Sequence, residues 1–389
     1  MRKKLFYCLI AAAVLIKLGL WIFTSVYAPQ GKFENDSLLY MQSAGMIAQE
    51  GVFAIPQDNG KSFRYEQYRT PGYPLFIAVL NGWCRLPYSG VILAQILLSL
   101  GTAWLTSQIA GRIESRLGPP AGLLVLFDPT IMVSSLMIMS ETLFIFLFTL
   151  FVRLFLRYVQ QRKTRDLFSA ALVLSAAVYI RPIVFYLGGF VAVFILLIQG
   201  WRFWLKGLGQ ALLFFALVYS LLGLWQYRNH IQLNDIRFST IEGATSQISG
   251  IYKSYGRDYM RLQDPQTAGR GPVVYYISVT ARATLGLFTQ PLSFKYWGCK
   301  PLTRLGQCYA YPFLALVFAG FILGLFRVGK DPRRWFVLLL IGYFYAATLG
   351  GALWGGPRFR APVVPLMAIV SASGWYGFWE WRKRIRDAG

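Results

Sequence analysis

The chain has 389 residues, 56% of them hydrophobic and 17% aromatic, and a mean hydropathy of +0.47, which excludes an ordinary soluble domain of this size. Its formal net charge of +23 suggests nucleic acid at first sight. However, about half of the 39 Lys and Arg lie in short clusters between apolar runs, and none of these clusters sits in a soluble fold with a groove-entering element, so no nucleic-acid partner is expected.

In chain order, "MRKK" precedes the apolar run 5–27, which is long enough to span a bilayer and reads as an uncleaved first helix rather than a signal peptide. The segment 28–70 follows as a first outer loop. Within it, "NDSLLYMQSAGMIAQEG" reads as a short helix with Asp36, Tyr40, Ala44 and Ala48 on one face. The apolar piece 71–86 is too short to cross and begins with Pro and Gly, so it enters and returns or lies against the bundle. Crossings are expected at 88–110, 119–139, 141–157, 168–181, 182–199 and 207–226. After a large outer loop over 227–310 come three more, at 311–326, 335–350 and 362–379.

The clusters "GRIESRLG", "RYVQQRKTRD", "WRFWLK", "RVGKDPRR" and "EWRKRIRD" fall between crossings on one side, which the positive-inside rule makes cytoplasmic. The same parity gathers Asp36, Glu66, Arg69, Glu141, Arg181, Arg228, Arg237, Arg358 and Arg360 at the opposite membrane edge. Arginines with few carboxylate partners suit a phosphate or pyrophosphate, because the guanidinium fork matches phosphate oxygens. A carboxylate opposite such a cavity can take the proton of an attacking hydroxyl or amine while the phosphate leaves. Asp36 also fits a plainer role, since Asn35, Asp36 and Ser37 are all good helix caps. Arg69 can equally pair with Glu66, and Glu141 can be a helix-start carboxylate following Ser140. The single histidine, His230, argues against a Ser-His-Asp triad and a histidine-rich metal site, and no phosphate-cradling glycine loop occurs.

Six segments, in order, resemble the GT-C superfamily of membrane glycosyltransferases, in the branch of the protein O-mannosyltransferases and lipid A aminoarabinose transferases. They are the first-loop helix above, "YRTPGYPLF" (Tyr68 to Phe76), "PTIMVSSLMIMSETLFIFLF", "YIRPIVF", "YRNHIQLNDIRFST" and "GGPRFRAPVVP". The resemblance implies an all-α polytopic membrane protein, one GT-C bundle of 10–11 membrane helices whose outer first loop carries short amphipathic helices. It implies an inverting transferase that moves a sugar from a polyprenyl-phosphate donor to a lipid, glycolipid or glycan acceptor outside the cytoplasmic membrane. By the same resemblance Asp36, rather than Glu34, is the base; Arg69, Arg181, Arg358 and Arg360, cations at the outer edge, are expected to bind the donor phosphate. Tyr40, Glu66, Tyr73, Glu141 and Arg228 are then expected around the base or on the acceptor side.

Family members differ in metal use, so a divalent metal stays open, with no ligand set assigned. The sequence ends at Gly389 with no soluble domain after the last helix, which leaves acceptor recognition to 227–310 and disfavours a protein acceptor. A disulfide is expected between Cys299 and Cys308, with Cys8 and Cys84 as unpaired membrane thiols. The rival readings are a transporter or flippase for an anionic lipid-linked substrate and a non-catalytic assembly factor.

Overall fold

The computed structural model describes residues 3–57, 62–199, 203–239, 281 and 300–388. Helix α1 (Lys3–Val26) leads to α2 (Asn35–Glu50) and a two-stranded hairpin, β1 (Ala54–Gln57) with β2 (Ser62–Tyr65), paired antiparallel with Ala54 opposite Tyr65. Helix α3 (Gly72–Ile77) runs on into a π turn over Ala78–Trp83. Then come α4 (Tyr88–Ile113), α5 (Gly118–Leu126), α6 (Pro129–Ser134), α7 (Glu141–Gln161), α8 (Thr164–Ile180), α9 (Leu187–Gln199) and α10 (Trp204–Leu233). The last three helices are α11 (Lys300–Leu325), α12 (Pro332–Gly355) and α13 (Val364–Ala388), with a 3-10 segment, Gly356–Val363, joining α12 to α13.

The chain is a helical, multi-pass membrane protein. Among the described residues, seven segments are long and apolar enough to cross a bilayer, where the sequence suggested 10–11 crossings. One reason for the difference lies at 119–139, which is not a single crossing. The Asp128 carboxylate caps a new helix there, accepting from Thr130 N at 2.8 Å and Ile131 N at 3.1 Å, with Pro129 in its first turn. That capping chemistry starts α6 and breaks the run. The hairpin in the first loop is a second departure from an all-helical reading. As expected, the short 71–86 piece does not form a spanning helix.

The core is built on α7, whose Phe144, Phe148, Phe151 and Phe155 recur at helical spacing and are buried. They meet rings from neighbouring helices, Phe148 against Phe344 at 5.0 Å and Phe155 against Phe336 at 4.5 Å between centroids. Such contacts add packing energy beyond area alone. Helix α7 packs on α4 and α8, α10 on α8 and α9, and α11 on α13.

The first loop is fastened to this bundle at several points. Ile138 N donates to Lys32 O at 2.8 Å, Thr70 Oγ1 to Ile180 O at 3.0 Å, and Ser239 Oγ to Tyr68 O at 2.7 Å. Most of the large outer loop, 240–299 apart from residue 281, lies outside the described residues, and Cys299 lies with it. The expected Cys299–Cys308 bridge therefore falls outside the described residues, and Cys8, Cys84 and Cys308 are free thiols.

Candidate active site

Helix α2 begins with a cap that does not use Asp36. The Glu34 N–H donates to Ser37 Oγ at 2.8 Å, and Ser37 N returns a bond to Glu34 O at 2.9 Å. The first bond is one half of a capping box and the second an ordinary main-chain turn, and neither uses Asp36, which corrects the plain reading of Asp36 as the cap. Ser37 Oγ also donates to Ile138 O at 2.8 Å, which seats the start of α2 on the segment before α7.

Asp36 instead lies between two arginines. Arg69 Nη2 donates to its Oδ1 at 2.8 Å, and Arg358 Nη2 donates to its Oδ2 at 2.9 Å. Beneath them Glu141, the first residue of α7, has its Oε1 shared by Arg358 Nε and by Arg181 Nη1, the latter at 2.7 Å. Glu141 is 2% exposed and Asp36 30% exposed, so the pair forms a buried base and a mouth. Glu141 Oε2 is buried without a hydrogen-bond partner. Three guanidinium groups against two carboxylates leave one positive charge in excess.

Burial alone would raise the Asp36 carboxyl, but Arg358 and Arg69 outweigh it and hold it below the usual carboxylate range. For Arg69, burial works against the charge, while Tyr40 and Asp36 outweigh it and favour the cation. Its guanidinium lies 4.7 Å over the Tyr40 ring. Tyr40 in turn stands edge-on to Tyr73 at 4.9 Å, and the fully buried Tyr73 donates its hydroxyl to Gln95 Oε1 at 2.7 Å. The motif Arg-Thr-Pro-Gly-Tyr-Pro therefore has a local logic. Gly72 is required because a Cβ there would meet Tyr179 O at 2.7 Å, so α3 can press against the end of α8 only without a side chain. Glu66 shapes the turn before Arg69 by accepting from Tyr68 N at 2.6 Å and Arg69 N at 3.2 Å. Glu66 Oε1 is engaged by backbone N–H groups and Arg69 Nη2 by Asp36, so the alternative of a Glu66–Arg69 ion pair is not the one adopted.

No protein-family model and no curated protein matches the chain, but solved structures do. The Archaeoglobus fulgidus oligosaccharyltransferase tethered with an acceptor peptide aligns over 100% of this chain and 51% of its own, at a TM-score of 0.60 and 13% identity. ArnT from Cupriavidus metallidurans bound to undecaprenyl phosphate aligns over 98% of this chain and 64% of its own, at 0.56 and 15%. The Archaeoglobus fulgidus oligosaccharyltransferase AglB, in complex with an inhibitory peptide and a dolichol-phosphate, aligns over 100% and 52%, at 0.54 and 14%. The chain has the GT-C fold. It spans between half and two thirds of the length of these neighbours.

On this GT-C frame the described structure brings together Asp36, Arg69, Arg181, Glu141 and Arg358, with Tyr40 and, edge-on to it, Tyr73 alongside. It does not bring Arg360 to the same place. Successive residues of a 3-10 turn advance about 120°, so two residues on, the side chain points away. Arg360 is 1% exposed, donates to Thr130 Oγ1 and interacts electrostatically with Asp128. Arg228 is also elsewhere. It reaches Phe53 O at 3.1 Å and Glu66 O at 3.4 Å and lies over the Trp225 ring at 4.7 Å, stitching the hairpin region to α10.

Two residues that the sequence reading passed over support this frame. Asp128 was signalled by Asp-Pro-Thr, an N-cap followed by a first-turn proline. Lys17, alone in the apolar run of α1, is fully buried with Nζ 3.5 Å from Ser135 Oγ; a cation inside a membrane helix was itself the signal. Among the described residues no three of His, Cys, Asp and Glu converge as metal ligands, and both carboxylates of the site are engaged by arginines. This donor set fits a divalent ion poorly.

Proposed function

We propose that the chain is an inverting glycosyltransferase that moves a sugar from a polyprenyl-phosphate donor to a lipid, glycolipid or glycan acceptor at the outer face of the cytoplasmic membrane. The observation that carries this reading is the Asp36 carboxylate bracketed by Arg69 and Arg358 above the Glu141–Arg181 pair. Two GT-C neighbours supply support of another kind, since one was solved with undecaprenyl phosphate and another with a dolichol-phosphate.

In the resting arrangement both Asp36 oxygens are occupied, and a carboxylate held below its usual range is a weak base. The donor phosphate competes for the same N–H groups on Arg69 and Arg358. As it binds, Asp36 loses its partners and becomes free to accept a proton from the acceptor hydroxyl. The acceptor oxygen then bonds to the anomeric carbon, the carbon–oxygen bond to phosphate breaks, and its electron pair leaves on the polyprenyl phosphate. Arg69 and Arg358 stabilise that charge, and Glu141 with Arg181 holds Arg358 in place. Tyr40 carries Arg69 on its ring, and Tyr73 supports Tyr40. Residues 227–310 supply the acceptor side in this reading.

The test is sugar transfer by the purified full chain from a polyprenyl-phosphate sugar, beside the Asp36→Asn variant. Single-turnover transfer by the wild type and its loss in the variant are expected. Wild-type transfer by Asp36→Asn would sink the assignment. A transport reading draws on one observation, the broken helix pair α5–α6 beside the buried Lys17. Translocation of a labelled polyprenyl-phosphate lipid across vesicles without sugar transfer would favour it.

A further inference from the structure

At the end of α13 remote from Asp36, helices α11 and α13 touch through glycines. A Cβ on Gly374 would lie 2.0 Å from Gly320 O, and one on Gly324 would lie 2.1 Å from Val370 O. This small-residue contact brings the two backbones together, as in many membrane helix pairs. Helix α11 ends at Leu325 while α13 continues to Ala388, and a groove of about 450 Å³ lies where the end of α11 and the residues after it meet α13. Gly374 and Gly377 line it together with Leu323, Phe326, Phe378 and Trp381.

Its rim is polar. Arg327, Glu380 and Arg384 also line the groove. Arg327 donates to Ser373 O at 2.9 Å and lies 3.7 Å from both Glu114 and Glu380, so its charge is matched by carboxylates. Arg384 makes no hydrogen bond or ion pair among the described residues, and Arg382 and Lys383 stand beside it on the exposed last turns. Over residues 380–387 four cations face two carboxylates.

We propose that this groove binds an anionic glycerophospholipid of the cytoplasmic leaflet, with an acyl chain against the aromatic walls and the phosphate at Arg384. The fit is one of charge and of depth. Trp379, Trp381 and Phe326 are 56%, 57% and 85% exposed, an aromatic belt of the kind that marks a membrane interface. Helix α13, 25 residues long, rises about 37 Å at 1.5 Å per residue. Its two ends therefore reach opposite membrane faces, and a phosphate bound here is separate from any held by Arg358. The basic last turns match the negative surface of that leaflet. The lipid site does not depend on the transferase reading.

The experiment is native mass spectrometry of the delipidated full chain incubated with phosphatidylglycerol or with phosphatidylcholine of the same acyl chains. Preferential retention of phosphatidylglycerol is expected. Arg384→Gln, an exposed change, should lower that retention about fivefold while leaving phosphatidylcholine retention and sugar transfer unchanged. Equal retention of the two lipids would overturn the site, as would an undiminished preference in Arg384→Gln. A lipid-free dimer that protects Trp381 from labelling would also overturn it, because the groove would then hold a second copy of the chain.

Discussion

Asp36 has an arginine on each carboxylate oxygen, and one substitution therefore has two separable effects. Asp36→Asn should reduce transfer by about 10²–10⁴, the share of a positioned general base. The same change releases two guanidinium groups, so the variant should bind a sugar-free polyprenyl phosphate more tightly than the wild type. Isothermal titration of both proteins checks this, and weaker binding by the variant would remove the competition between carboxylate and phosphate. The pH dependence has a definite sign. A carboxyl whose folded value lies below its unfolded one adds stability above the ordinary range, and that stability is lost as pH falls through the lowered value. The wild type should therefore lose thermal stability below about pH 4 more steeply than Asp36→Asn, as read by unfolding midpoints across a pH series. At this scale the motifs and the charge parity picked out Asp36, Arg69, Glu141, Arg181 and Arg358, because each stands in or beside a turn on the same side of the bundle. It misplaced Arg360, because neighbours in a sequence do not share a direction on a 3-10 turn.

The break between α5 and α6 rests on a group with several obligations. Asp128 caps α6 and interacts electrostatically with Arg360, and both side chains are buried. Asp128→Asn keeps a capping oxygen but removes the charge. It should destabilise by about 1–3 kcal/mol, because the buried Arg360 loses a charge that favours its cation, rather than by the near-zero change of a cap-to-cap exchange. Thermal unfolding in detergent measures it. Gly72→Ala should act through packing, since its Cβ would meet Tyr179 O and Ile180 Cδ1 at 2.7 and 2.6 Å. A loss of about 1–3 kcal/mol is expected, with weaker donor-phosphate binding as the Arg69 turn shifts. The long helices were legible from apolar length. The break at Asp128 was not read, because hydropathy averages over a single capping residue. The hairpin escaped too, since its four-residue strands carry too little alternation to stand out.

For the whole molecule, the parity of basic clusters predicts which ends share a compartment. Single cysteines at Thr164 and Lys330, placed in a background without native thiols, should be labelled only from the cytoplasmic side, and one at Gln57 only from the other. Labelling of Thr164 and Gln57 from one side would put Asp36 in the wrong compartment for an outer-face transferase. The fold class was legible because lipid admits few solutions for the backbone. The placement of the first loop was not, because it depends on single bonds such as Ile138 N to Lys32 O that no pattern announces. That fastening has a consequence for rate. With Lys32, Ser37, Thr70 and Tyr68 each bonded to the bundle or to the segment after α10, the wall carrying Asp36 and Arg69 behaves as a mould rather than a lid. Little reorganisation then accompanies reaction, and the Ile138 amide should exchange its hydrogen as slowly in the empty protein as in the donor-bound one.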